Sequence, residues 1–353
     1  MSKLIINGIF YNHKLTGIER FAYEMTLKLD SISKQNELSL ILPSNAPKQI
    51  QNYKNIYIKR LIKTPLKKQF NNAKLNLFIL FHHCNCLDYG NNCPIFGKNI
   101  VFLHDIYCKV FPEDFRTPKD IAIMKKACNM YKRIAKKAKI ICTVSEYSKK
   151  QIMEYYKVPS EKIHVIYDSV NYMKNIKSDY SILDRIPEIK NKPFYFTLGS
   201  LSLRKNLKWI VDHAELYPNE LFVISGTALK NVVPPELEKI KKQKNVICAG
   251  YLSDEEIKAL YEKCKAFIFP SYFEGFGIPP LEALYCGAKI IISNVSCLPE
   301  IYGNTAHYID PQNSNVNLDK ILEEKVKSPE KLFKKYSLDN SAKKLYELLK
   351  ENK

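Results

Sequence analysis

The sequence predicts an α/β protein built from two doubly wound parallel sheets. Short apolar runs of strand length alternate with helical patterns along the chain, which is typical of parallel α/β layers. The chain has 353 residues, enough for two domains of ordinary size, and 46% of them are hydrophobic, so each half can bury a core. A stretch of weak periodicity separates the halves. The predicted organisation is a first domain over residues 1–172, a linker over 173–192, a second domain over 193–335 and a last segment over 336–353.

The first half begins with a predicted strand at 4–6, a loop over 8–17 and a helix with apolar residues at helical spacing from Ile18 onward. Thr16 and Glu19 have the spacing of a capping box at the start of this helix. Further strands are predicted at 38–42, 56–58, 77–81, 100–103, 140–144 and 163–166, and helices at 118–137 and 146–157, capped by Thr117 and Ser145.

The second half repeats the alternation. Its predicted strands lie at 194–198, 221–224, 246–249, 266–269 and 290–292. Ser253 and Glu256 form a second capping-box pattern at the start of a helix over 254–264. Apolar residues at helical spacing between Ala342 and Leu349 predict a final helix.

Composition bears on the location of the protein and on metal binding. No apolar run reaches the roughly 18–20 residues that span a bilayer, and the N-terminal segment lacks the pattern of a signal peptide, so a cytoplasmic protein is expected. Several of the ten cysteines lie in apolar contexts, which indicates reduced core residues. Cys84, Cys86 and Cys93 follow His82 and His83, but they lack the paired spacing of a structural zinc site, so zinc is not favoured.

The net charge of +19 is distributed unevenly. Residues 1–170 hold 28 basic and 13 acidic residues, whereas residues 171–353 hold 27 and 23. A basic first half indicates an anionic partner, which could be phospholipid, a phosphorylated acceptor or nucleic acid. The segment from Lys59 to Lys74 is strongly basic, and taken alone it is more simply interpreted as a solvated loop.

The stretch over 270–289 has the features of an anion-binding loop. It follows an apolar strand, and Gly275 and Gly277 allow a tight turn with close approach to a ligand. Pro280 suits the start of a short helix, whose N-terminus would face the loop and attract an anion. Glu274 precedes the loop, and Glu282 is predicted in the first helical turn. An ordinary strand–loop–helix connection with surface glutamates is the alternative.

Other polar residues follow predicted strands, where ligands bind in doubly wound sheets. His104 follows the strand at 100–103, although a lone histidine is more often structural. Arg204 and Lys205 precede a helix, where their charges oppose the dipole and favour a bound anion. Gly226 follows the strand at 221–224. No Asp-x-Asp pair occurs, so cationic side chains are expected to stabilise a leaving diphosphate in place of a divalent metal.

Six motifs in order resemble glycosyltransferase family 4, and the resemblance covers nearly the whole chain. It implies the GT-B fold, in which two Rossmann-like domains face each other across a cleft, with the last helix packing back toward the first domain. It also implies a retaining transfer without metal. The motifs are TGIERFAYEM, FLHD, TVSEYSK, LGSLSLRKN, PSYFEGFGIPPLEAL and ISNVSCLPEIYGNTAHYIDP.

The resemblance also implies roles for individual residues. The catalytic set is His104, which would contact the transferred sugar, Lys205, which would bind the diphosphate, and Glu274, which would bind sugar hydroxyls. Some members of the family carry arginine where this chain has Ser200, so more of the diphosphate binding would fall to Arg204 and Lys205. The implied donor-binding residues are Gly17, Arg204, Gly226, Gly275, Phe276, Gly277, Ile278 and Glu282, the last on the ribose.

The expected function is transfer of a hexose, mannose or rhamnose first, from a nucleotide-diphosphate sugar to a lipid-linked saccharide in cell-surface polysaccharide synthesis. A GDP-sugar is favoured over a UDP- or dTDP-sugar, and no cofactor is expected. The first domain is expected to dock peripherally on the anionic inner face of the membrane. A non-catalytic scaffold subunit is one alternative; nucleic-acid binding is another, for which no binding motif is present. The expected membrane residues are Lys59, Arg60, Lys63, Lys67 and Lys68.

Overall fold

The computed structural model describes residues 3–13, 15–61, 71–90, 92–200, 202–226, 240 and 243–352. The chain divides into two compact units. The first consists of Met1–Val110, Thr117–Ser169 and Tyr336–Lys353, and the second of Phe111–Arg116 and Val170–Lys335. Among the described helices, none is both long enough and apolar enough to cross a membrane.

The first unit is a parallel sheet of seven described strands in the order β3-β2-β1-β4-β5-β6-β7, covered by helices. The strands are β1 (Leu4–Asn7), β2 (Ser39–Leu42), β3 (Tyr57–Arg60), β4 (Asn85–Asp88), β5 (Ile100–Phe102), β6 (Ile140–Thr143) and β7 (Ile163–Val165). The helices are α1 (Gly17–Ile32), α2 (Asn71–His82), α3 (Tyr107–Val110), α4 (Pro118–Lys137), α5 (Glu146–Tyr156) and the C-terminal helix (Leu338–Glu351).

Alternation along β1 explains why both faces of this sheet are covered, since successive side chains of a strand point to opposite faces. Leu4 and Ile6 belong to a core that includes apolar residues of α1 and of the C-terminal helix. Ile5 belongs to a separate core with Leu75 and Ile79 of α2. The C-terminal helix is fastened further by the Ser341 hydroxyl, which donates to a backbone carbonyl in the same unit.

The second unit is a parallel sheet with the order β10-β9-β8-β11-β12-β13 over its described strands. The strands are β8 (Tyr195–Leu198), β9 (Phe222–Ser225), β10 (Val246–Gly250), β11 (Ala266–Phe269), β12 (Ile290–Ser293) and β13 (His307–Ile309). The described helices are α6 (Ser181–Arg185), α7 (Leu207–Leu216), α8 (Asp254–Lys263), α9 (Ile278–Tyr285), α10 (Leu298–Tyr302), α11 (Leu318–Glu323) and α12 (Glu330–Lys335).

Two predictions of local structure need correction, and a third is confirmed. The strand predicted at 77–81 lies within α2, because a short apolar run does not distinguish a strand from a helix, and β4 takes the place in the sheet. The Thr16 hydroxyl donates to the Glu19 carboxylate instead of accepting from a helix N–H, so the predicted capping box is absent there. The capping box at Ser253 and Glu256 is confirmed.

The segment Phe111–Arg116 belongs to the second unit, although its sequence position places it within the predicted first domain. Two contacts hold it there. The backbone N–H of Leu203 donates to Asp114 Oδ1 at 2.6 Å, and the rings of Phe111 and Tyr272 stack with centroids 6.0 Å apart. A short segment without a core of its own is assigned by contacts of this kind, which its sequence does not reveal.

Candidate active site

The loop after β8 is anchored to the carboxyl edge of the second sheet by Asn206. This residue has a positive φ of 51°, which asparagine tolerates better than most side chains. Its side-chain amide donates to the carbonyls of Pro270 at 3.0 Å and Pro311 at 2.8 Å, which follow β11 and β13. The Tyr272 N–H donates to the carbonyl of Arg204 at 2.7 Å. These bonds bring two loops that are far apart in sequence together.

The centre of the site is the buried carboxylate of Glu274. Its Oε1 accepts from Lys205 Nζ at 2.7 Å, and its Oε2 from Arg204 Nη1 at 3.2 Å. The Glu274 side chain is 8% exposed, and those of Lys205 and Arg204 are 11% and 24% exposed. Burial alone would raise the pKa of the Glu274 carboxyl, but the charges of Lys205 and Arg204 outweigh it and leave the pKa below its ordinary value. Two cations thus face one ionised carboxylate.

Lys205 is held in place by its surroundings as well as by Glu274. Its ammonium lies 4.6 Å from the centroid of the Phe269 ring, a cation–π contact that favours the charged form. Its stem passes beside Gly199, where a Cβ would lie 3.3 Å from Lys205 Cδ. A side chain at Gly199 would therefore press on the lysine.

The glycine loop between β11 and α9 turns at Gly277. Its φ is 84°, and a Cβ there would lie 2.7 Å from Leu298 Cδ2, so glycine is required. Helix α9 starts at Ile278, two residues before the predicted start, and Glu282 is therefore in the second turn and not the first. Pro279 and Pro280 have no N–H, so among the first three helical residues only Ile278 offers an amide donor. Anion binding here would depend on the loop amides over 275–278.

Glu282 is oriented by two tyrosines that the sequence reasoning missed. Its Oε1 accepts from the Tyr172 hydroxyl, and its Oε2 accepts from the Tyr261 hydroxyl at 2.9 Å. Burial, reinforced by the charge of Glu282, raises the pKa of Tyr261 well above its ordinary value, so this phenol remains a donor. A ribose that binds Glu282 would meet a carboxylate already fixed in orientation.

Gly226 lies at the end of β9, where the chain packs against the end of β8. A Cβ on Gly226 would lie 1.8 Å from the carbonyl oxygen of Gly199, which is too close for any side chain. The Gly226 N–H donates to the carbonyl of Gly250 at 3.0 Å. Glycines thus lie at the ends of three neighbouring strands, and at Gly226 the missing side chain lets two backbone segments pack closely. Residues 227–239, which follow Gly226, lie outside the described part of the chain.

His104 follows β5 in the first unit and is 7% exposed. Its Nε2 lies 3.0 Å from the carbonyl oxygen of Tyr89, so Nε2 carries a proton and donates. Its ring packs edge-on against Phe21, with centroids 5.5 Å apart. Burial lowers the pKa of His104, so the imidazole is neutral at pH 7. Its predicted contact with a sugar stays a prediction.

Gly17 begins α1, beside a pocket of about 290 Å³ in the first unit that the sequence did not reveal. The pocket lies where β1 and β4 end, and His13 and Glu19 form one wall, with His13 Nδ1 3.1 Å from Glu19 Oε1. Asn7 and Asn92 add neutral amides. Both asparagines are hydrogen-bonded to Asp88, whose carboxylate accepts from the Asn7 side-chain amide at 2.5 Å and from the Asn92 backbone N–H at 3.3 Å.

Two of the five expected membrane residues lie in the described part of the chain, on the edge strand β3. Arg60 donates to the carbonyls of Ala46 at 2.6 Å and Pro47 at 2.8 Å, so its guanidinium fastens a loop. Lys59 Nζ lies 5.0 Å from the centroid of the Phe78 ring on α2. The other three expected residues, Lys63, Lys67 and Lys68, are outside the described residues.

Residues 181–345 match the family described as Glycosyl transferases group 1. The matched segment contains the whole Arg204–Lys205–Glu274 cluster together with Glu282. This segment of the chain is therefore similar to group 1 glycosyl transferases. The predicted resemblance to glycosyltransferases is confirmed over these residues.

Two relatives that the chain resembles come from Escherichia coli. The serotype-specific mannosyltransferase WbdA is 32% identical in an alignment of 185 residues that covers 47% of this chain and 22% of WbdA. The O-antigen chain mannosyltransferase B is 28% identical in an alignment of 232 residues that covers 61% of this chain and 58% of the relative. The matches thus span only about a fifth to three fifths of these relatives.

Solved structures share the fold at low sequence identity. Sucrose-phosphate synthase from Thermosynechococcus elongatus matches 99% of this chain and 99% of its own, with a TM-score of 0.75 and 15% identity. HepE from Anabaena, solved with UDP and glucose, matches 99% of this chain and all of its own, with a TM-score of 0.69 and 16% identity. The predicted fold class of two Rossmann-like α/β domains, as in GT-B glycosyltransferases, is confirmed.

Proposed function

We propose that this protein is a retaining glycosyltransferase that moves a hexose from a nucleotide-diphosphate sugar to a lipid-linked saccharide during cell-surface polysaccharide synthesis. The observation that carries the proposal is the Glu274 cluster, in which Lys205 and Arg204 contact one buried carboxylate at a sheet edge with a glycine loop. The names of the two E. coli relatives, both mannosyltransferases, support the same class of reaction.

The cluster has the charge that a departing nucleoside diphosphate requires. When the bond between the anomeric carbon and the diphosphate oxygen breaks, its electron pair stays on that oxygen. Lys205 and Arg204 stabilise the new negative charge, and a fixed pair of cations does so without reorganising. The acceptor hydroxyl forms the new bond on the face that the diphosphate leaves, and its proton passes to the diphosphate oxygen. Glu274 holds both cations and offers its carboxylate to the hydroxyls of the sugar.

Mannose is the first candidate for the transferred sugar and rhamnose the second, and a GDP-sugar is the favoured donor. The two relatives named as mannosyltransferases support mannose. The structure of HepE contains UDP and glucose, so UDP-glucose belongs in the comparison panel. Metal-independent transfer is proposed because the sequence has no Asp-x-Asp pair and because Lys205 and Arg204 supply positive charge.

The pocket of the first unit is the proposed site for the acceptor saccharide. Its neutral amides and the His13–Glu19 pair offer both donors and acceptors for sugar hydroxyls, and its volume of about 290 Å³ suits a single sugar ring. The basic first half supports attachment to anionic lipid that presents the acceptor, at the cytoplasmic face of the membrane.

The test is sugar transfer by the purified full-length chain. GDP-mannose, GDP-rhamnose, UDP-glucose and dTDP-rhamnose are each incubated with a lipid-linked saccharide, and the product anomer is read by NMR. We expect turnover with a GDP-sugar and retention of configuration, and loss of turnover in Lys205→Ala. Lys190→Ala, which removes an exposed ion pair with Asp184 in the same unit, is the matched control and should keep full activity. Absence of hydrolysis and of transfer with all four donors would point instead to a scaffold subunit.

A further inference from the structure

Helix α2 carries an apolar face that points to solvent. Leu77, Leu80 and Phe81 are 51%, 39% and 74% exposed, whereas Leu75 and Ile79 on the opposite face are buried in the core. A surface helix of a globular protein normally places polar residues outward. The outward stripe of α2 is instead apolar, which marks a contact surface.

A neighbouring loop widens this stripe. The N–H of Ile95 donates to the side chain of Asn76 on α2, so the loop lies along the helix. Ile95 is 60% exposed and Phe96 is 36% exposed. We use the term apolar stripe for Leu77, Leu80, Phe81, Ile95 and Phe96 together.

Basic residues lie on the elements that carry the stripe and on the neighbouring strand β3. Lys74 lies on α2 itself, Lys59 reaches the Phe78 ring of α2, and Lys98 is exposed just after the loop. Between residues 48 and 98 the sequence contains one acidic residue, Asp88, and that side chain is fully buried. An apolar strip bordered by cations is complementary to a bilayer of anionic lipids, where apolar groups enter the acyl boundary and cations meet the headgroups.

We propose that the apolar stripe inserts into the surface of an anionic membrane and that α2 lies in the interface plane. The inference deepens the proposed function, because it names the surface through which a lipid-linked acceptor is reached. Asn72, in the first turn of α2, lines the acceptor pocket, and its side chain contacts Asn92 at 3.3 Å. Leu77 is five residues further on, or about 7.5 Å along the helix. A saccharide in the pocket would therefore remain close to its lipid anchor.

Insertion can be observed directly through tryptophan fluorescence. The chain has one tryptophan, Trp209, which is 2% exposed and lies in the second unit, so it contributes a constant background. In Phe81→Trp, we expect a blue shift of the emission and quenching by bromine-labelled acyl chains when vesicles contain anionic phosphatidylglycerol. Ile123→Trp is the matched control, because Ile123 on α4 is 53% exposed in the same unit but lies outside the stripe. An unshifted spectrum of the Phe81→Trp protein on bound vesicles would overturn the proposal.

Binding should depend on the stripe. The double variant Leu77→Gln/Phe81→Gln should lower affinity for vesicles of phosphatidylcholine and phosphatidylglycerol by at least about tenfold, because two apolar side chains lose their burial. Ile123→Gln should bind as the wild type does. Unchanged binding of the double variant would contradict insertion, and lipid-free dimerisation that the double variant abolishes would assign the stripe to a second copy of the chain.

Donor hydrolysis in lipid-free buffer separates this inference from the proposed function. The double variant should hydrolyse the nucleotide sugar at the wild-type rate and keep its melting temperature. If the wild type shows stripe-dependent vesicle binding but no turnover of any donor, the proposed function fails and the membrane inference stands. If turnover is normal and the tryptophan of Phe81→Trp shows no blue shift on vesicles, the membrane inference alone fails.

Discussion

Removing Lys205 should leave the buried carboxylate of Glu274 with one cation in place of two. The expected loss of unfolding free energy follows from the geometry, because Lys205 donates at 2.7 Å to a carboxylate that is 8% exposed. Breaking a buried ion pair typically costs about 3–5 kcal/mol, and the remaining contact with Arg204 at 3.2 Å keeps the estimate at the lower end, about 3 kcal/mol. Glu274→Gln in the same background removes a buried charge that Arg204 alone compensates only in part, and it should recover about 2 kcal/mol of the unfolding free energy. Transfer activity should stay at least about 100-fold below wild type in both variants.

The assay is urea unfolding followed by the fluorescence of Trp209, which lies on α7 in the second unit next to this loop. Its indole N–H donates to the carbonyl of Asn313 at 2.8 Å, so the emission reports on this unit. The exposed pair of Lys190 and Asp184 gives a matched double-mutant cycle, in which the coupling should be close to zero.

The pH dependence provides a second check on the same reasoning. In the wild type the pKa of Glu274 is depressed, so the stability it contributes is present above the pKa of the unfolded chain and is lost as the pH falls through the native pKa. Without Lys205, burial should dominate and move this pKa upward. The loss of unfolding free energy in Lys205→Ala, relative to the wild type, should therefore shrink as the pH is lowered from about 7 to about 5. The reasoning would be refuted if Lys205→Ala and Glu274→Gln had additive effects on the free energy of unfolding. It would also be refuted if the loss of unfolding free energy in Lys205→Ala did not depend on pH.

Three further predictions concern other parts of the molecule. Gly226→Ala should destabilise the second unit by about 3 kcal/mol or more, because its Cβ would meet the Gly199 carbonyl at 1.8 Å; urea unfolding close to the wild-type midpoint would contradict this. The buried Asp168 has a pKa raised to about 7 by burial, and within the described residues its Oδ1 has no hydrogen-bond partner. The native state thus holds a proton that the unfolded chain releases above pH 4, so the free energy of unfolding should fall as the pH rises from about 4 to 7. Asp168→Asn should therefore stabilise the protein more at pH 8 than at pH 5. An equal stabilisation at both pH values would argue against this. Transfer should survive EDTA; complete loss that magnesium or manganese restores would show that a metal is needed.

Much of the organisation of this protein follows from its amino-acid sequence alone. Alternating strands and helices predicted two parallel α/β domains, and these periodicities are local properties of the chain. The motif residues Arg204, Lys205 and Glu274 were located beyond strand ends, because doubly wound sheets place ligands there. The predicted capping residues at the starts of α4, α5 and α8 are confirmed, since a cap depends on neighbours within three residues.

Only the tertiary structure decided which distant residues meet. Tyr172 and Glu282 are 110 residues apart in sequence, and no local pattern predicts their hydrogen bond. The ion pairs of Glu274 join loops about 70 residues apart and depend on the anchoring of Asn206 at β11 and β13. The run at 77–81 predicts a strand, although it is helical, because a buried strand and a helix with an apolar outer face are equally hydrophobic. Its exposure, and with it the apolar stripe, follows from which side of α2 packs on the sheet, and that is settled by packing of the whole unit.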